Sequence, residues 1–141
     1  MTRLFTPLIL CLALLVGLTG CHSGPELNGL AVELLKLERS PDGSIVATLQ
    51  IDNSTVIAFN VGRSKHDILL NGRLVGTVEI DEPLGLPAQR NLPQTGKLKL
   101  AAGALTPGQA SYQLNSALTL ILQGDSKEIH KITGTGTVEV P

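Results

Sequence analysis

The stretch Ile68-Leu69-Leu70-Asn71-Gly72-Arg73-Leu74-Val75 decides the fold class. Two apolar runs flank an Asn-Gly pair, the pair preferred in a two-residue type I′ hairpin turn, where both central residues need positive φ. The flanking runs therefore read as antiparallel strands, with Asn71 and Gly72 assigned to turn geometry. Gly76 follows in the second strand, where a glycine marks a bulge. Upstream, residues 44–52 (SIVATLQID) place Ile45, Ala47, Leu49 and Ile51 on one face and Val46, Thr48, Gln50 and Asp52 on the other. That two-residue period, with β-branched side chains, is the mark of a half-buried strand. Residues 30–38 are apolar at both parities; they read as a strand, with a short helix as the other option, running into a turn at Pro41-Asp42-Gly43. Downstream, residues 83–93 hold three prolines and read as a loop. Residues 97–101 alternate again. Residues 105–113 read as irregular or a short helix, and residues 116–123 and 129–140 as the last two strands, joined around Gly124-Asp125. Short strands with frequent turns, and no long helical pattern, predict an all-β sandwich of about seven strands.

The sequence has 141 residues and a net charge of −1. Its first part is a targeting segment and is set apart from the fold. Met1-Thr2-Arg3 carries one positive charge, and residues 4–18 (LFTPLILCLALLVGL) are uncharged and apolar. At ~1.5 Å per residue this run spans roughly 22 Å as a helix, short of the ~20 residues a stable membrane span usually needs. It ends in Leu18-Thr19-Gly20-Cys21. Those four residues resemble the lipobox of bacterial lipoproteins: a Leu, two small residues that let the peptidase approach, and a Cys whose thiol takes the diacylglycerol. An ordinary secretory signal with an incidental Cys21 is the other reading, and the position of the Cys directly after the small residues argues against it. The resemblance implies a signal peptide over 1–20, a lipidated tether over 21–28 and a folded domain over 29–141. The partner it implies is the lipid bilayer, held through acylated Cys21, because two or more acyl chains anchor firmly where one does not. His22 follows the Cys where an Asp would signal inner-membrane retention. The expected location is therefore the cell envelope, at the outer membrane facing the periplasm if the host is Gram-negative.

With Cys11 lost in the signal and Cys21 acylated, the domain has no thiol for a disulfide, metal or nucleophile. Without Arg3, 10 basic residues face 12 acidic ones. The basic residues are dispersed and aromatics are scarce, which argues against nucleic acid as a partner and leaves carbohydrate recognition without its usual aromatic faces.

The order of features then resembles a known family. The matching residues are Leu49-Gln50-Ile51-Asp52-Asn53, the hairpin from Ile68 through Gly76, Leu86-Pro87-Ala88 and Lys97-Leu98-Lys99-Leu100. Together they resemble the late embryogenesis abundant (LEA) type 2 domain, also called the WHy (water stress and hypersensitive response) domain, over roughly residues 28–140. The family's usual Asn-Pro corner is Asn53-Ser54 here. The resemblance implies a fibronectin type III- or immunoglobulin-like sandwich, with Asn53, Asn71, Gly72, Gly76 and Pro87 as structural residues. It also implies a role in protecting proteins or membranes under water stress.

No residue pattern points to an enzyme, a metal or a cofactor. His66-Asp67 has the elements of a general base but no nucleophile motif beside it. His130 with Glu128 and Asp125 matches no standard ligand spacing. Gly134-Thr135-Gly136-Thr137 lacks the Lys and helix of a phosphate loop and reads as a bulged edge strand. Asn53-Ser54-Thr55 matches a glycosylation sequon, which says nothing on a bacterial export route. The expected function is a lipid-anchored, non-catalytic protectant against desiccation, with client proteins as a further class of partner. The alternatives are an envelope scaffold that binds one partner, for instance by strand addition at a sheet edge, and a carrier of a lipid or small ligand.

Overall fold

The computed structural model describes residues 29–103 and 105–141. Leu18, Thr19, Gly20 and Cys21, with the boundaries at 20 and 28, lie outside these. The described chain is all-β, with eight strands: β1 (Leu30–Arg39), β2 (Ile45–Asn53), β3 (Phe59–Leu70), β4 (Arg73–Ile80), β5 (Leu84–Leu86), β6 (Arg90–Leu100), β7 (Gly108–Ile121) and β8 (Lys127–Val140). A single 3₁₀ turn, Gln123–Asp125, joins the last two.

The strand order is β1-β2-β6-β4-β3-β7-β8, with β5 paired to β3. β6 is the corner of the sandwich. Its residues 90–97 pair with β2 and its residues 98–100 with β4, so one strand serves both layers. Leu49, Ile51, Ile68, Val78, Leu114 and Leu118 are fully buried between the layers. Each such side chain contributes roughly 1.5–3 kcal/mol on leaving water.

β1 explains its own mixed parity. The register with β2 slips between Leu34 and Lys36, so Leu35 is the extra residue and turns outward. Both Leu34 and Leu37 then face the core. The hairpin between β3 and β4 has φ of 48° at Asn71 and 79° at Gly72, the I′ geometry. The β3–β4 register slips between Ile68 and Leu69, and Val75 is the unpaired residue, directly before Gly76.

Three readings of the sequence need correction. Residues 83–93 are not simply a loop: Leu84–Leu86 form β5 against Phe59–Val61, and β6 already begins at Arg90. Pro93 is tolerated inside β6 because this half of the strand pairs only with β2, so a missing N–H on its other edge costs no ladder bond. Residues 108–113 are neither irregular nor helical but the first half of β7. Ala110, Tyr112 and Leu114 face inward with unbroken alternation; small Ala110 at an inward position weakens the apolar signal. The last strand carries no bulge at Gly134–Gly136, since its register with β7 is continuous from Lys127 to Val140.

The glycines there serve a close approach instead. β1 and β8 are the two ends of the strand order, and they come together to close the sandwich on the side opposite β6. A Cβ on Gly134 would collide with the backbone carbonyl oxygen of Val32, and one on Gly136 would meet the Tyr112 ring. The Tyr112 hydroxyl in turn accepts a hydrogen bond from the Leu34 amide at 3.3 Å.

Candidate functional site

The strand register sorts the loops into two ends. One end holds the turn at 40–43, the Asn71-Gly72 hairpin and residues 101–107. There Asn71 accepts from the Ser111 amide at 3.0 Å, and its own amide donates to the Ser111 carbonyl, tying the turn to β7. A cleft lined by Leu70, Arg73, Val75, Gly103 and Leu105 opens beside it. The other end holds Gly29, the loop 54–58, residues 81–89 and the 3₁₀ turn.

That second end is built around Asn53. This side chain closes β2 and is 2% exposed. Its Nδ2 donates to the carbonyls of Ile57 (2.8 Å) and Pro87 (2.9 Å). Its Oδ1 accepts from the Thr55 amide (3.0 Å) and the Thr55 hydroxyl (2.7 Å). A side-chain amide has two donors and one acceptor oxygen, and here all are used. The sequon asparagine is thus a buried strut with no free nitrogen. Two further links lock the loop: the Gln89 amide donates to the Thr55 carbonyl, and the Ser54 amide donates to the Gly29 carbonyl at 2.8 Å. The Ser54 hydroxyl reaches that same carbonyl at 3.1 Å, so the serine at this corner is a donor to Gly29, directly before β1, a bond that a proline could not make.

With its polar groups turned inward, the loop presents Val56, 81% exposed, and Ile57, 60% exposed. No charged residue occurs from Asn53 to Gly62. Leu122 is also exposed, and it belongs to the same end because Ile121 pairs with Asn60 at the start of β3. A shallow open cleft lined by Asp52, Asn53, Gln89, Arg90 and Asn91 runs beside the loop.

The remaining candidates of the sequence sit elsewhere. His66 and Asp67 are consecutive in β3 and so point to opposite faces. His66 is fully buried and its Nδ1 lies 2.8 Å from the Ser116 hydroxyl; Asp67 accepts instead from Thr77 at 2.7 Å. Burial pushes the His66 pKa down to about 4, against a smaller upward pull from the Asp67 carboxylate. Its Nε2 has no hydrogen-bond partner. A Ser–His pair sealed between two sheets, with Ser116 3% exposed, cannot be reached by a substrate in this conformation. Its inward direction was readable from parity with Ile68 and Leu70. His130 pairs with Glu128 at 3.2 Å, and among the described residues no three His, Cys, Asp or Glu side chains cluster to hold a metal. Gly76 lies under β6, where the Lys99 carbonyl oxygen is 2.5 Å from the place a Cβ would take. Pro87 contributes the carbonyl that Asn53 holds. The apolar tip Val56-Ile57 was not legible as a site, because an apolar pair reads as core until the loop around it is known.

No family model matches the sequence, and no curated protein is similar to it. Among solved structures, a solution structure of a protein assigned to the late embryogenesis abundant (LEA) group superposes with a TM-score of 0.50. It is 14% identical, and the match covers 79% of this chain and 71% of that one. The two share a fold. At this identity the likeness is one of architecture, and the domain has a LEA-type fold. A crystal structure of an Archaeoglobus fulgidus protein (TM-score 0.46, 16% identity, 79% and 98% covered) and a solution structure of an Arabidopsis thaliana protein (0.47, 17%, 83% and 83%) align more loosely.

Proposed function

We propose that this chain is a lipid-anchored envelope protein whose domain of LEA-type fold, residues 29–141, protects proteins or membrane during water stress and carries out no catalysis. The observation that supports the protective reading is the fold shared with a LEA-group protein, beside the sequence motifs that resemble the LEA type 2/WHy domain. The anchor is supported by Leu18-Thr19-Gly20-Cys21 after an uncharged apolar run. Residues 1–20 are then removed, Cys21 carries the acyl chains, and residues 21–28 tether the domain. An outer-membrane position facing the periplasm is supported by His22 after the cysteine. In this reading a stable, closed domain held near the membrane separates the apolar surfaces that drying exposes on its neighbours.

The test is drying. A labile enzyme is dried with the purified protein or with an unrelated β-sandwich of similar size and charge, and activity is read after rehydration. Selective recovery with this protein supports protection. Recovery equal to the control removes it and leaves the envelope scaffold, for which crosslinking in cells should yield one dominant partner.

A further inference from the structure

We infer that the end of the sandwich bearing Val56 and Ile57 rests on the lipid bilayer, with these two side chains entering the boundary between headgroups and acyl chains. The inference rests on the anchor at Cys21. Three observations carry it together.

The first is the surface itself. Val56 and Ile57 are adjacent, 81% and 60% exposed, and flanked by no charge from Asn53 to Gly62. Exposed Leu122 adds a third aliphatic group at the same end. Single exposed aliphatic residues are ordinary, but an adjacent pair at the tip of a loop, with a third at the same end, marks a contact surface.

The second is the loop's polar economy. A segment entering an apolar layer must satisfy its backbone internally. Here the Thr55 and Ile57 amides bond to Asn53 Oδ1 and Thr55 Oγ1, and the Thr55 and Ile57 carbonyls accept from Gln89 and Asn53. The loop therefore holds its two aliphatic side chains out without carrying many free polar groups with them.

The third decides the occupant. The chain enters the fold at this loop, because the Gly29 carbonyl accepts both the Ser54 amide and the Ser54 hydroxyl. Only the seven residues 22–28 separate Gly29 from the acylated Cys21, eight Cα steps with a reach of at most ~29 Å at ~3.6 Å per residue. The hairpin end of the sandwich lies away from that tether, whereas the Val56 loop lies at its root.

The test uses the full chain, expressed and lipidated in a bacterium and reconstituted into vesicles of phosphatidylethanolamine and phosphatidylglycerol. Val56→Cys and, at the far end, Ala102→Cys each receive a polarity-sensitive fluorophore. The mass of the N-terminal peptide reports whether Cys21 is acylated. With acylation present, the Val56→Cys probe should shift to the blue and be quenched several-fold less by aqueous iodide than the Ala102→Cys probe. Adding Ile57→Asp should abolish that difference while the acyl chains keep the protein on the vesicle. Equal quenching at the two positions on an acylated protein would overturn the seating and leave the anchor intact. Protection that disappears as lipid is increased at constant protein would identify a second copy as the occupant and overturn it too. An unacylated Cys21 would remove the anchor, and the seating with it.

Discussion

At the residue scale, two buried polar side chains matter most, and they do so in opposite ways. Asn53 is fully satisfied, so truncation leaves the Ile57 and Pro87 carbonyls and the Thr55 amide without their partner. A fully buried orphan costs about 1–3 kcal/mol; these groups are part-buried, which puts each at the lower end, and the loop relaxes in part. Asn53→Ala should therefore lower stability by about 2–4 kcal/mol in urea unfolding, and a change under 1 kcal/mol would show the corner to be held by other means. His66 is only half satisfied. Its folded pKa of about 4 lies below the ordinary 6.5, so between those values the unfolded chain binds more protons than the folded one. Stability is then complete above about pH 6.5 and declines as pH falls toward 4, by roughly 3 kcal/mol across the window. Replacing both partners, His66→Leu with Ser116→Ala, should remove most of that decline; a curve that keeps it would assign the acid sensitivity to the carboxylates. Asn53 could be singled out in the sequence as a corner residue. Its bond to Pro87 could not, because Pro87 is 34 residues away; the bonds to Thr55 and Ile57 are local.

At the element scale, the closure of the sandwich depends on how near β8 can come to β1. Gly134 sits where a side chain would strike the Val32 carbonyl, which is backbone and cannot swing aside. Gly134→Ala should cost about 1–3 kcal/mol, the usual penalty of forced overpacking, and should speed amide exchange in β1 and β8 ahead of β3. Uniform exchange with unchanged stability would mean that the two edges do not meet in solution. The hairpin at Asn71-Gly72 was legible because turn chemistry is local: both φ values are set by two adjacent residues. The glycines of β8 were misread as a bulge for the complementary reason. A glycine needed by a backbone more than 100 positions away in the chain looks the same as one needed by its own strand. The first half of β7 was missed because Ala110 buries little apolar area, and its inward placement follows from the strand as a whole.

At the scale of the whole molecule, the strand register gives the domain a direction. Gly29, the Val56 loop and the 3₁₀ turn lie at one end, and the hairpin tips at the other. If the tether is anchored, Cys21→Ala should move the protein from the membrane fraction to the soluble periplasmic or culture fraction and abolish labelling with a fatty-acid analogue. Retention of label would place the acyl chains elsewhere. The sequence by itself determined the all-β class, the hairpin turn, the inward face of β2 and the lipobox resemblance, since each depends on residues within about ten positions of one another. Only the tertiary structure decided that β6 serves both layers, that Gly134 and Tyr112 draw β1 to β8, and that Val56 and Ile57 stand outside the core. Those outcomes depend on which strands become neighbours, and strand pairing joins residues whose distance in sequence carries no trace of their distance in space.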